Sequence, residues 1–204
     1  MANFTRVGYG QVEPNQLSAQ KTGQIYASLP LNKNVSVLQN GEFMYYSYAD
    51  GEVTADPALG FKGEPMLVFN EVKLYEEPYR TTYKDFAMIR VGDNYVTSKL
   101  ATAGYGDGAE TEGANIAAHT EYPYRMDGIA PRVVKTNVGD IVTTNMVKTG
   151  VEYAVGDTLA PVLNAASHTL VLETAADTTG MLWQVVKVYT MPDGQPGLKL
   201  QRVQ

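Results

Sequence analysis

Trp183-Gln184-Val185-Val186-Lys187-Val188-Tyr189, then Pro192-Asp193-Gly194-Gln195-Pro196-Gly197, then Leu198-Lys199-Leu200-Gln201-Arg202-Val203, reads as a β-hairpin. The outgoing limb is rich in β-branched and aromatic residues, and the returning limb alternates strictly between apolar and polar. Asp-Gly between them suits a tight turn, because both residues tolerate positive φ. The same signals recur toward the N-terminus. Met66-Leu67-Val68-Phe69, Phe43-Met44-Tyr45-Tyr46-Ser47-Tyr48 and Val35-Ser36-Val37-Leu38 are short apolar or aromatic runs, and Asn40-Gly41, Asp50-Gly51 and Asp127-Gly128 punctuate the chain. A mainly β fold follows.

Three segments share a pattern, Val91-Gly92-Asp93, Val138-Gly139-Asp140 and Val155-Gly156-Asp157, each followed closely by a branched or aromatic residue. The expectation is a turn that launches a strand, with the aspartate accepting hydrogen bonds from local backbone N–H groups. Their uneven spacing fits no calcium-ligand motif. Helix candidates are few and short: Pro14 to Gln20, a short amphipathic piece within Pro78 to Ile89, and Ala114 to Ala118. None reaches the ~12 residues at which an unsupported helix becomes stable.

Composition divides the chain into three zones. Residues 1–32 lack strong alternation and contain Gly8, Gly10, Pro14, Gly23 and Pro30, the make-up of an extended N-terminal arm that gains order on another surface. Phe4, Val7, Tyr9, Val12 and Leu17 are its expected anchors at a protein interface. Such an arm would be removable without unfolding the rest. Residues 33–130 form a tyrosine-rich β region, and residues 131–204 a C-terminal small β-barrel or sandwich, with strand signals every 8–15 residues.

The formal charge of −6 is spread along the 204 residues, which argues against nucleic-acid binding through clustered Lys and Arg. No cysteine is present, so thiolate nucleophiles, disulfides and Cys-ligated zinc are excluded. Apolar runs of a few residues fall far short of the ~20 that a membrane helix needs, and Met1 to Arg6 does not read as a leader. The expectation is a protein of the soluble phase, with no membrane partner.

No catalytic or cofactor constellation is expected. The two histidines, His119 and His168, lie far apart in unlike contexts, and Ser167 beside His168 would face the opposite way if both were on a strand. Glu76-Glu77 between tyrosines has the residue types of a glycosidase pair, and equally those of a polar interface rim. The loop Gly104 to Gly113 offers Asp107, Glu110 and Glu112 as hard oxygen ligands but lacks the alternation of an EF-hand. Neither Gly8-Tyr9-Gly10 nor Gly104-Tyr105-Gly106 is followed by the Lys-Ser/Thr of a phosphate loop. The 14 tyrosines, among them Tyr45, Tyr46, Tyr48, Tyr75, Tyr79, Tyr83, Tyr122 and Tyr124, divide between core packing and surfaces that meet a protein or a sugar.

Pro131-Arg132-Val133-Val134-Lys135-Thr136-Asn137-Val138-Gly139-Asp140-Ile141-Val142-Thr143-Thr144-Asn145, Val155 to Leu159, Trp183 to Tyr189 and Gly197 to Val203 together resemble the small β-barrel of tailed-bacteriophage capsid decoration (cement) and auxiliary head proteins. The resemblance covers residues 130–204 and rests on turn-and-strand patterns. It implies a non-enzymatic virion protein without cofactor that stabilises a capsid by bridging shell subunits. Its partners would be the major capsid protein and copies of itself, as a trimer. The alternative is a carbohydrate-binding β module in a tail or host-adhesion role.

Overall fold

In the hairpin at the C-terminus, Trp183 faces Arg202, Val185 faces Leu200 and Thr190 faces Pro196, with a β-bulge at Val186. The computed structural model describes residues 4–6, 10–35, 37–70, 73–77, 80–85, 88–90, 130–176, 179–191 and 194–204, without the side chains of 37, 73–77, 80–85 and 88–90. In chain order the elements are β1 (Val12–Gln16), α1 (Ser18–Thr22), β2 (Ile25–Tyr26), β3 (Val37–Gln39), β4 (Phe43–Ser47), β5 (Glu52–Thr54), β6 (Met66–Val68), β7 (Lys73–Glu77), β8 (Arg80–Asp85), β9 (Met88–Arg90), β10 (Val133–Val134), β11 (Ile141–Thr144), β12 (Thr158–Asn164), β13 (Thr169–Thr174), β14 (Trp183–Thr190) and β15 (Pro196–Arg202). The fold is mainly β.

Eleven strands make one antiparallel sheet in the order β1-β11-β15-β14-β12-β13-β4-β6-β10-β2, with β5 on β4. The sheet curls. Past the end of β11, a parallel bridge joins Val147 to Leu172 of β13, and the Lys148 N–H donates to the Leu172 carbonyl at 2.9 Å. The C-terminal strands therefore wrap round a common interior, where Val142, Leu159, Leu172, Trp183, Val185, Leu198 and Leu200 are buried. Alternation puts them there: Leu198 and Leu200 face in, while Lys199 between them and Gln201 after them stay partly exposed. Trp183 packs on Phe43 of β4 with ring centroids 5.8 Å apart, which joins this core to the middle of the chain.

The expected arm is the first departure. Residues of the 1–32 zone lie in this chain's own sheet: β1 pairs with β11, and β2 pairs with β10. Phe4 is tied to residues 150 and 151, its N–H donating to the Val151 carbonyl and its carbonyl accepting from the Gly150 N–H. The boundaries at 32 and 130 likewise fail to separate sheets. β10 of the C-terminal zone pairs with both β6 and β2, and Asn70 Oδ1 accepts from the Arg132 N–H at 2.7 Å. Buried Arg202 ties the same zones together, donating to the Thr136 carbonyl and to Glu64 Oε1, the latter at 2.8 Å. The physical reason is edge satisfaction: without β1, the outer edge of β11 would carry unpaired backbone groups.

Two helix expectations also change. Pro14 to Gln20 divides between β1 and the single-turn α1, and Pro78 to Ile89 holds β8, paired with β7, and the start of β9, paired with β3. Consecutive Thr81, Thr82 and Tyr83 favour the extended form. Ala114 to Ala118 lies outside the described residues.

The Gly-Asp turns are as expected at both described copies. Gly139 and Gly156 take φ of +96° and +99°, and β11 and β12 start directly after the aspartates. Asp157 Oδ2 accepts from the Ala154 N–H at 2.7 Å. Asp140 does more. Its Oδ2 accepts from the Asn137 N–H at 2.9 Å and the Ser18 hydroxyl at 3.0 Å, and its Oδ1 accepts from the Ser18 N–H at 3.0 Å. Leu17, at the N-cap of α1, has no side chain able to cap, so this aspartate from another element caps the helix in its place. Val91-Gly92-Asp93 lies outside the described residues.

From these contacts, Asp140→Ala should cost about 3 kcal/mol, because it strands donors on two elements, whereas Asp157→Ala should cost about 1 kcal/mol. Urea midpoints followed by the fluorescence of the single, buried Trp183 measure both. Equal losses would remove the capping role.

Candidate functional site

β12 and β13 pair from Leu159 opposite Thr174 to Asn164 opposite Thr169. They close through residues 165–168, where His168 takes a φ of +56°. Ser167 and His168 therefore sit in a turn, not on a strand, and Ser167 Oγ is engaged with Thr169 Oγ1 at 2.7 Å. Next to this hairpin, residues 146–149 are held against β13 by the Val147 bridge. Arg6 arrives from the N-terminal segment. Together they enclose a cleft of about 280 Å³.

It is lined by the cross-strand pair Val162 and Val171, by Met146, Val147 and Leu163, and by Arg6. Lys148 and Glu173 form an ion pair at the rim, with side-chain exposures of 58% and 25%. An ion pair this open to water adds little to stability and exchanges partners easily. Arg6 Nη1 donates to Met146 Sδ, the one hydrogen-bond acceptor it has among the described residues. Desolvation pulls the guanidinium pKa below its usual value, opposed by the charge of Glu42. A guanidinium nonetheless keeps its proton in proteins.

The charge of Arg6 acts on Glu42, fully buried immediately before β4. Glu42 Oε2 accepts from the Gln39 N–H at 2.7 Å, and Oε1 accepts from the Thr169 hydroxyl at 2.8 Å. Burial pushes its pKa up to about 7, against those two hydrogen bonds and the charge of Arg6, which lower it. Tyr153, whose hydroxyl donates to the Lys148 carbonyl at 2.9 Å, is pushed up to about 12 by burial, with the charges of Glu173 and Asp157 adding to the effect.

The expected arm anchors are spent internally where they are described. Phe4 is 6% exposed and meets Tyr153 edge-on at 5.9 Å; Leu17 is 3% exposed; Val12 packs against the core from β1. Val7 and Tyr9 lie outside the described residues, as do His119, Asp107, Glu110 and Glu112. Glu76 and Glu77 lie on β7 opposite β8. Among the described residues, no three His, Asp or Glu side chains gather to hold a metal ion.

The tyrosines divide. Tyr46 is buried against Tyr26 at 5.2 Å, Tyr45 is half-buried on Phe61 at 5.7 Å, and Tyr48 is 73% exposed. Pattern reading passed over Arg6, Glu42, Lys148 and Glu173. For Glu42 strand parity gives no signal, because both faces of β4 are buried: Phe43 and Ser47 on one, Met44 and Tyr46 on the other. For the other three, nothing local marks residues that meet only through the curl of the sheet.

Comparison with protein families, with curated proteins and with solved structures finds no match for this chain.

Proposed function

We propose that this chain is a structural, non-enzymatic virion protein that decorates and stabilises a bacteriophage capsid. Its partners in this reading are the major capsid protein and further copies of itself, as a trimer. The observation that carries the reading is the outer half of β14. Val186 and Val188 are 42% and 50% exposed, and β12 pairs with β14 only at Gln184 and Trp183. Among the described residues, the side of Val186–Thr190 away from β15 has no strand partner. An apolar strand edge on a curled sheet is a ready surface for joining neighbouring protein subunits. At roughly 25 cal/mol per Å² of apolar area, a modest contact repeated over many copies stabilises a lattice strongly.

The test is co-sedimentation with purified shells of the particle that carries this chain. Wild type should pellet with the shells, and the double variant Val186→Asp, Val188→Asp should stay in the supernatant with an unchanged circular dichroism spectrum. Undiminished pelleting of the double variant removes β14 from the interface. Failure of wild type to pellet, with binding on a glycan array, replaces the reading by the carbohydrate-binding alternative, for which Tyr48 is the one largely exposed tyrosine among the described side chains.

A further inference from the structure

We infer that the outer half of β14 takes an extended segment of a different protein as an added strand, one whose side chains alternate between apolar and acidic. The inference rests on the choice of β14 as interface in the reading above, and adds the mode of contact and the chemistry of the partner. Backbone geometry comes first. Up to Val185 the outer edge of β14 is occupied: the Val185 N–H donates to the Asp157 carbonyl at 2.8 Å, and the Gly156 N–H donates to the Val185 carbonyl at 2.9 Å. Past that point nothing among the described residues bonds the edge. At the far end the Met191 N–H donates to the Gln195 carbonyl at 2.7 Å, in line with Tyr189 opposite Gly197. Antiparallel pairs alternate, so Tyr189 turns its backbone groups to β15, while Val188 and Thr190 turn theirs away from it. Free N–H and C=O groups spaced along extended backbone are what an added strand bonds.

The two faces of that edge then say which side chains the strand carries. Residues opposite one another in an antiparallel pair share a face. Val188 stands opposite Leu198 on the face that covers the core, yet Leu198 is fully buried and Val188 is 50% exposed. The apolar face therefore runs on past the core, and an apolar side chain beside Val188 extends its burial.

On the other face Lys187 stands opposite Lys199, and the Lys187 ammonium lies 5.8 Å from the centre of the Tyr189 ring. Neither lysine has a carboxylate partner among the described residues. Like charges directly opposite destabilise a sheet, and carboxylates on a neighbouring strand relieve them. The same charges choose between partners. A second copy paired antiparallel on this edge would set Lys187 and Lys199 of both chains on one face, whereas an acidic strand is attracted there.

The probe is the acetylated, amidated peptide Thr-Val-Glu-Val-Glu-Val-Thr, with Thr-Val-Lys-Val-Lys-Val-Thr as its basic counterpart, each titrated at millimolar concentration into the ¹⁵N-labelled full chain. In the free chain the amides of Val188 and Thr190 should exchange readily with solvent. The acidic peptide should slow both by about tenfold or more at saturation, because both become hydrogen-bonded. The basic peptide should bind about tenfold more weakly. Lys187→Glu, a change at an exposed position that gives Lys199 an opposite charge across the strands, should erase that difference. No binding, equal binding of the two peptides, binding that leaves Val188 and Thr190 unprotected, or protection of both in the free chain through self-association would overturn the inference. The two readings fail separately. If shells pellet wild type but not the Val186→Asp, Val188→Asp variant, and the peptide protects neither amide, the added strand alone is lost. If the peptide behaves as expected and the double variant still pellets, β14 is lost as the capsid contact and the added strand stands.

Discussion

Removing residues 2–20 should unfold the whole protein. The deletion takes away Phe4, Leu17 and Ala19, each buried in the common core, and the strand that covers the edge of β11. It also removes Ser18, the partner of the Asp140 carboxylate, and Arg6, the cation that faces Glu42. Burial of Phe4 and Leu17 is worth about 1.5–3 kcal/mol per side chain before the cavity they leave is counted. The stranded backbone of β11 and the uncompensated carboxylates bring the loss to the order of 10 kcal/mol, as large as the stability of a typical domain. The truncated chain should therefore lack the protected fluorescence of Trp183 and melt without a cooperative transition. Phe4→Ala, which leaves every strand in place, should still fold and cost about 3 kcal/mol. A soluble truncation with the wild-type melting temperature would return the segment to the status of a detachable arm.

Strand identity was legible in this sequence where alternation is strict and turns are marked. Leu198 to Arg202 alternates, Asp193-Gly194 precedes it, and the hairpin is where the pattern puts it. The Gly-Asp turns at Gly139 and Gly156 were legible for the same local reason, since positive φ and a short acceptor side chain are properties of adjacent residues. The role of residues 1–32 was not. Gly and Pro there read as an arm, but β1 is an edge strand, and an edge strand tolerates Pro14 because one side of it needs no partner. Its placement is decided by β11, more than a hundred residues away, which no local pattern encodes. The cleft is hidden by the same cause. Arg6, Lys148 and Glu173 come together only because the sheet curls far enough for Val147 to meet Leu172.

Glu42→Gln should make the protein more stable at pH 8 and flatten its dependence on pH. The carboxyl of Glu42 has an ordinary value of 4.5 in the unfolded chain and about 7 in the fold, where burial disfavours its charge. Between those two values the folded state holds a proton that the unfolded state has released. Stability from this group is therefore fully present below pH 4.5, declines as pH rises, and is lost once pH passes about 7. The size of the decline is roughly 3 kcal/mol, from the free energy of a pKa shift of this size. Glutamine carries no charge to bury. Its carbonyl can accept the Gln39 N–H, and its amide can donate to Thr169 Oγ1, which turns its own hydrogen to Ser167 Oγ, so the chain of hydrogen bonds stays complete. Melting temperatures of wild type and variant between pH 5 and pH 9 decide the matter. The two curves should lie close together at pH 5 and separate toward pH 8, with the variant higher. Parallel curves, or a variant that loses stability at pH 8, would mean that Arg6 already compensates the buried carboxylate in full, and that Glu42 is charged throughout.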